Sequence, residues 1–137
     1  MKQYTGKGVY NAIAIGRTSI FKRAEVSVRR VHITDADKEI ERVNKAKEDA
    51  VSQLQEIYEK AVEEIGEANA QIFETHIMMI EDEDYNESVE NIIKTQMVNA
   101  EYAVAVTSDN FAEIFAAMDD TYMQARAADV RDISNRI

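Results

Sequence analysis

The sequence contains no cysteine, no proline and no tryptophan, and only four glycines. Without cysteine there is no disulfide framework, no iron–sulfur cluster, no zinc finger and no thiol nucleophile. Only two histidines are present, His32 and His76, which leaves little for a His-rich metal site. No apolar run approaches the roughly 18 residues of a membrane span, and the opening MKQYTGKGVY lacks the apolar core of a signal peptide. These absences make a cytoplasmic protein without membrane insertion the expectation. The chain itself has 137 residues, 45% hydrophobic and 31% charged, the composition of a globular domain with one core rather than of a disordered segment.

The net charge is −10, from 16 basic and 26 acidic residues, which argues against nucleic acid and acidic membrane as partners. Its distribution says more. Residues 1–34 carry Lys2, Lys7, Arg17, Lys22, Arg23, Arg29 and Arg30 against the single acid Glu25, a net of +6. Residues 61–125 carry fifteen acids against Lys94, a net of −14. A surface of one sign either holds other proteins off or attracts a basic partner.

Residues 6–31 have the pattern of strands. GVYNAIAIG places Val9, Ile13 and Ile15 near period two, and IF and EVSVRRV follow with β-branched residues. After Thr34 the pattern turns helical. Thr34-Asp35-Ala36-Asp37 resembles a capping box, and apolar residues from Ile40 to Ile65 recur every three or four positions, a helix of about thirty residues stopped by Gly66. A second helix is predicted over 68–81, with Ile72, Phe73, Ile77 and Ile80 inward. Asp82-Glu83-Asp84 places carboxylates in the first turn of a third, where they complement the helix dipole, and Tyr85, Val89, Ile92, Ile93 and Met97 follow. Asn99 is the expected N-cap of a fourth helix with Val104, Phe111 and Phe115 inward. Asp119 or Asp120 caps a fifth, whose inner stripe is Tyr122, Met123, Ala127, Val130, Ile133 and Ile137. Short connections favour antiparallel neighbours. The expected fold is therefore mainly α, an antiparallel bundle of four to five helical segments preceded by one or two short strands.

Such strands cannot form a stable sheet alone, and the last helix reaches residue 137 with no stop signal. Either the strands pack on the bundle or they belong to a sheet whose other strands are missing. A fragment is expected, with the strands in residues 1–33 and the helical domain in residues 34–137.

The chemistry of the side chains is sparse. A di-iron or di-manganese bundle needs repeated Glu-x-x-His pairs, whereas Glu74-Thr75-His76 splays its ligands about 200° apart on a helix. Glu81-Asp82-Glu83-Asp84 lacks the alternating ligands and central glycine of a calcium loop. Gly16-Arg17-Thr18-Ser19 has no following lysine and no helix, so it is no phosphate loop, and neither histidine has a nucleophile context. No catalytic or metal-binding residue is assigned. An apolar anchor at Met79 and Tyr85 with an acidic rim has the anatomy of a docking patch.

Two stretches, IFETHIMMIEDEDY (72–85) and DDTYMQARAADVRDISNRI (119–137), resemble signature segments of enzyme I of the bacterial phosphoenolpyruvate–sugar phosphotransferase system. The order of features, a glycine-bounded strand, a long acidic helix and then these two segments, extends the resemblance over essentially the whole chain. It implies a parent enzyme that takes a phosphoryl group from phosphoenolpyruvate onto a histidine and passes it to the phosphocarrier protein HPr. The helical module would be the HPr-binding part, inserted into an α/β phosphohistidine domain to which residues 1–33 contribute. The catalytic histidine, the phosphoenolpyruvate and magnesium site, and the surface that makes the parent a homodimer would all lie beyond residue 137. Gly16-Arg17-Thr18-Ser19 mimics the segment before that histidine, but Ile20 stands in the histidine's place. The start at Met1 favours the sugar-type enzyme over the nitrogen-type.

The resemblance also carries the docking positions. Glu67, Ile72, Glu74, His76, Met78, Asp82, Glu83 and Arg126 match the family; Asp84 keeps the charge; Met79, Tyr85, Phe115 and Met123 are changed apolar residues. Ala68 and Asn69 depart from it, as does Tyr10-Asn11-Ala12, which stands for the family's Ser-Pro-Gly. No cofactor is expected on this chain. Two other functions compete: a stand-alone acidic helical adaptor for a basic protein, and a carboxylate metalloenzyme. The N-terminal strands are expected to exchange with a second copy in a dimer or to fold back as a hairpin.

Overall fold

The computed structural model describes residues 27–137 throughout, and before them residues 5–8, 11, 13, 15–17 and 19. Five helices follow in order: α1 (Ala36–Ile65), α2 (Glu67–Ile80), α3 (Glu83–Gln96), α4 (Ala100–Ala116) and α5 (Thr121–Ser134). The mainly α, helical-bundle expectation holds. α1 packs chiefly on α2 and α4 chiefly on α5, with α3 between the two pairs.

The helix ends show why the chain breaks where it does. Asp35, one residue later than the capping box suggests, is the N-cap of α1, and its carboxylate accepts the Lys38 N–H at 3.1 Å. Gly66 alone separates α1 from α2. Its φ of 83° and ψ of 156° lie in a region essentially reserved for glycine. Its N–H donates to the Val62 carbonyl, while its own carbonyl accepts from Asn69 and Ala70. One residue thus closes a helix and opens the next. Asp82 caps α3 by accepting the Tyr85 N–H at 2.9 Å, and Asp120 caps α5 through Tyr122 at 2.7 Å. α3 stops at Met97, which takes the left-handed conformation with φ 50°.

Asn99 occupies the N-cap of α4 as expected, yet makes no side-chain cap bond. Its Oδ1 accepts the Val31 N–H at 2.8 Å, and the Ala100 N–H donates instead to Glu39 of α1 at 2.8 Å. The carboxylate of one helix therefore satisfies an end of another. Glu39 also pairs with Arg42, which reaches Glu101 on the first turn of α4.

The core is built from α3 and α4, with Val43 of α1 and Ala127 and Val130 of α5 joining Tyr85, Val89, Ile92, Ile93, Val98 and Val104. Beside it Ala50 and Leu54 of α1 pack with Ile80 of α2 and Ile133 of α5. Met79 and Ile137 pack against both groups. No residue of α1 beyond Leu54 is buried; in the outer half of the α1–α2 hairpin Ala70 of α2 is buried, outside both core groups.

The strand pattern over 6–31 yields no strand among the described residues. Val9 and Ile20, on which much of that pattern rests, lie outside them, and Ile13 and Ile15 are almost fully exposed. Residues 31–33 run against 97–99 instead. Ile33 donates to the Met97 carbonyl and Asn99 to the Val31 carbonyl, around an antiparallel bridge of His32 with Val98. The α3–α4 connection offers too few extended residues for a longer ladder.

Candidate functional site

Helix α2 divides into three stripes. Ala70, Phe73, Ile77 and Ile80, spaced three or four apart, face the core; Ala70 and Ile80 are buried, and Phe73 and Ile77 pack against the cluster around Leu54. Ile72, expected on that inner face, is 41% exposed; Ala70 takes the inward position because it lies three residues before Phe73, on the same side of the helix. Glu67, Gln71, Glu74 and Met78 form the opposite stripe, all exposed, with Met78 at 68%. Between them Ile72, His76 and Met79 run along a flank that meets α5.

The expected docking positions therefore fall in different settings. Glu67, Ile72, Glu74, Met78, Asp82, Glu83 and Asp84 are exposed, and His76, Met79, Phe115, Met123 and Arg126 are half-buried. Tyr85 is 2% exposed. Its ring meets Phe111 edge-on at 5.5 Å between centroids, and its hydroxyl is hydrogen-bonded to Ser134 at 2.7 Å. Burial pushes its pKa above the ordinary tyrosine value, against a smaller lowering by the Ser134 hydrogen bond. Tyr85 is a core residue, which corrects its reading as an apolar anchor: it follows the cap Asp82 by three positions and turns inward with Val89. Met79 and Phe115 pack against the same core. Among these positions the exposed apolar surface is supplied by Met78 and Ile72.

The three carboxylates at the start of α3 divide their work. Asp82 caps the helix, while Glu83 and Asp84 in the first turn remain exposed. Glu67 lies at the far end of α2, roughly 20 Å from Asp82 at 1.5 Å per residue, so the positions span the whole length of the helix.

Across the flank, α2 and α5 are joined by charge. His76 Nε2 lies 3.6 Å from Asp129 Oδ1, and Arg126 Nη1 donates to Asp129 Oδ2 at 3.3 Å. Arg126 also donates to the Tyr122 hydroxyl, with its guanidinium 4.7 Å from that ring's centroid. Tyr122 is 62% exposed, which corrects its place on the inner stripe: the buried residues of α5 are Ala127, Val130 and Ile133, all beyond the first turn in which Tyr122 stands. Asp129 and Tyr122 were not among the expected site residues. The i, i+3 and i, i+4 spacings to Arg126 were the available signal.

Among the described residues no three or more His, Asp or Glu side chains converge as a metal site requires. No helix among them is long and apolar enough to cross a membrane.

The second helix of this five-helix domain displays acid and methionine beside a His–Asp–Arg junction, and comparison with known proteins gives the domain its family. The family described as PEP-utilising enzyme, N-terminal, matches residues 5–126, and the chain belongs to it. The phosphoenolpyruvate-protein phosphotransferase of Listeria monocytogenes is 34% identical over 136 residues, 99% of this chain and 24% of that protein. The enzyme of the same name from Bacillus subtilis is 34% identical over 137 residues, 100% and 24% respectively. The chain thus spans about a quarter of the length of these curated relatives. An NMR solution structure of Enzyme I superimposes with a TM-score of 0.76 at 36% identity, covering 82% of this chain and 46% of that one. The N-terminal domain of Enzyme 1 – Nitrogen gives 0.72 at 26% identity, covering 78% and 44%. The chain is similar to the N-terminal region of enzyme I, as the two signature segments imply.

Proposed function

We propose that this chain is the HPr-docking module of a phosphoenolpyruvate–protein phosphotransferase of the sugar phosphotransferase system, and that it is not catalytic by itself. In this reading the parent enzyme receives the phosphoryl group on a histidine outside these residues, and the helical domain of residues 34–137 brings HPr to it. Residues 1–33 belong to the neighbouring α/β domain. Magnesium, phosphoenolpyruvate and the homodimer contact belong to later parts of the parent.

The observation that carries the proposal is the outward stripe Glu67, Gln71, Glu74 and Met78, continued by exposed Glu83 and Asp84. It sets an apolar contact within a field of one sign, which steers a basic partner inward and still lets it leave. A carrier that must be loaded and released on every cycle needs both properties. Glu67, Glu74, Glu83 and Asp84 supply long-range attraction; Ile72 and Met78 supply the short-range contact that sets residence time.

The test is titration of the chain with unphosphorylated HPr, followed by NMR. Shifts are expected along α2, the start of α3 and the first half of α5, with affinity falling as salt rises, because exposed charges are screened beyond about 10 Å at 0.1 M. Salt-independent binding, or shifts confined to α4, overturns the proposal. Incubation with phosphoenolpyruvate and magnesium is expected to leave His32 and His76 without phosphate.

A further inference from the structure

We infer that Asp129 is a positioning residue of the docking face, holding His76 of α2 and Arg126 of α5 as one unit. The inference rests on the docking reading above and adds a residue to it. His76 and Arg126 lie fifty positions apart in the chain, on helices that each pack chiefly elsewhere, α2 on α1 and α5 on α4. The two helices meet in the core where Ile80 packs with Ile133, and at the level of His76 and Arg126 a carboxylate adds a polar tie to that apolar contact. One oxygen of Asp129 faces His76 Nε2 at 3.6 Å, and the other accepts from Arg126 at 3.3 Å.

The junction is secluded enough for this to matter. The side chains of His76, Asp129 and Arg126 are 15%, 23% and 17% exposed. His76 Nε2 is fully buried and has no hydrogen-bond partner. A buried polar atom left unpaired is costly, and the carboxylate oxygen is aimed at it. A small rotation of either side chain closes 3.6 Å to hydrogen-bonding distance. Arg126 is held on its other side by the Tyr122 hydroxyl and ring, so its guanidinium is fixed between a carboxylate and an aromatic face. A long, rotamer-rich side chain that is already ordered loses less freedom when a partner docks.

Removing Asp129 releases Arg126 and leaves Nε2 without an acceptor. The expected consequence is a loss of HPr affinity that depends on the residues Asp129 holds. The experiment is a double-mutant cycle in the full 137-residue chain, with HPr affinity measured by calorimetry for Asp129→Ala, Arg126→Ala and the double variant. Alanine is the best helix former, so α5 is retained, and helix content by circular dichroism checks that. Asp129→Ala is expected to weaken binding about tenfold, with the double variant no weaker than the worse single one. The His76 Nε2–H resonance, expected in the imidazole region of the unsubstituted chain, is lost in Asp129→Ala. Unchanged affinity in Asp129→Ala, or losses that multiply in the double variant, overturns the inference and leaves docking intact. Absence of binding by the unsubstituted chain overturns the docking reading itself, and this inference with it.

Discussion

Helices α2 and α3 have the same length, fourteen residues, and treat their apolar side chains in opposite ways. α3 has four, Tyr85, Val89, Ile92 and Ile93, and all four are buried. α2 has eight, Ala68, Ala70, Ile72, Phe73, Ile77, Met78, Met79 and Ile80, yet only Ala70 and Ile80 are buried. The helix richer in apolar residues is the less buried one. A helix that serves only the core needs one apolar stripe and keeps the rest polar. α2 packs Phe73, Ile77 and Met79 against the core as well and still leaves Ile72 and Met78 exposed, the pair on which the proposed docking face rests.

Substitution in the core should show the largest effect and mark the comparison most sharply. Ile93 is fully buried, and Ile93→Ala is expected to cost about 2–5 kcal/mol by denaturant unfolding, with HPr binding retained while the chain stays folded. Ile72→Ala and Met78→Ala should fall within about 0.5 kcal/mol of the unsubstituted stability and instead speed HPr dissociation in stopped-flow experiments. A large stability loss at Met78 would erase the distinction between the two helices.

The corner that sets α2 off from α1 comes next. Gly66→Ala places a side chain at φ 83°, and although no atom obstructs the added carbon, the backbone region itself should cost about 1–3 kcal/mol. The loss should appear as fraying of the α1–α2 hairpin in hydrogen exchange, with α3 and α4 remaining protected.

Charge reversal at Glu83→Lys with Asp84→Lys should slow HPr association about tenfold at low salt, with much less change in dissociation. Asp82 is left in place in this variant because its carboxylate caps α3. If association is unaffected, steering comes from the stripe on α2 rather than from the turn that follows it.

The smallest effect concerns the buried end of α3. Tyr85→Phe removes the hydroxyl bonded to Ser134 and should cost about 1 kcal/mol. Burial raises the Tyr85 pKa in the folded chain. Above the ordinary tyrosine value of about 10, the unfolded chain loses this proton while the folded chain keeps it, so stability falls as pH rises through that range. Thermal melts of Tyr85→Phe should show a shallower alkaline decline. An unchanged decline would mean that the Tyr85 hydroxyl titrates alike in the folded and unfolded chain.

Much of this architecture was legible in the residues. Asp82, Asp120 and Gly66 marked helix ends because capping and left-handed turns are local, involving atoms within one turn of chain. Val89, Ile93, Val130 and Ile133 announced their burial through spacing alone. Ile72 lies one position off the inner stripe, where an apolar residue has the same composition signal as one on it, and Tyr122 lies in line with buried Ile133 but in the first turn of α5, ahead of every buried residue of that helix. Tyr85 belonged both to a family position and to the α3 stripe, and the core claimed it. The spacing of Asp129 to Arg126 is legible along α5, whereas its approach to His76 on another helix is not.

The sequence by itself determined the helical class, the helix boundaries and the concentration of negative charge between residues 61 and 125, since each depends on near neighbours along the chain. Tertiary structure decided the rest. It assigned Glu39, not Asn99, to cap α4, turned Asn99 to the chain at Val31, and brought His76 within reach of Asp129. These are contacts between residues about fifty or more positions apart, and only tertiary packing places them within a few ångströms.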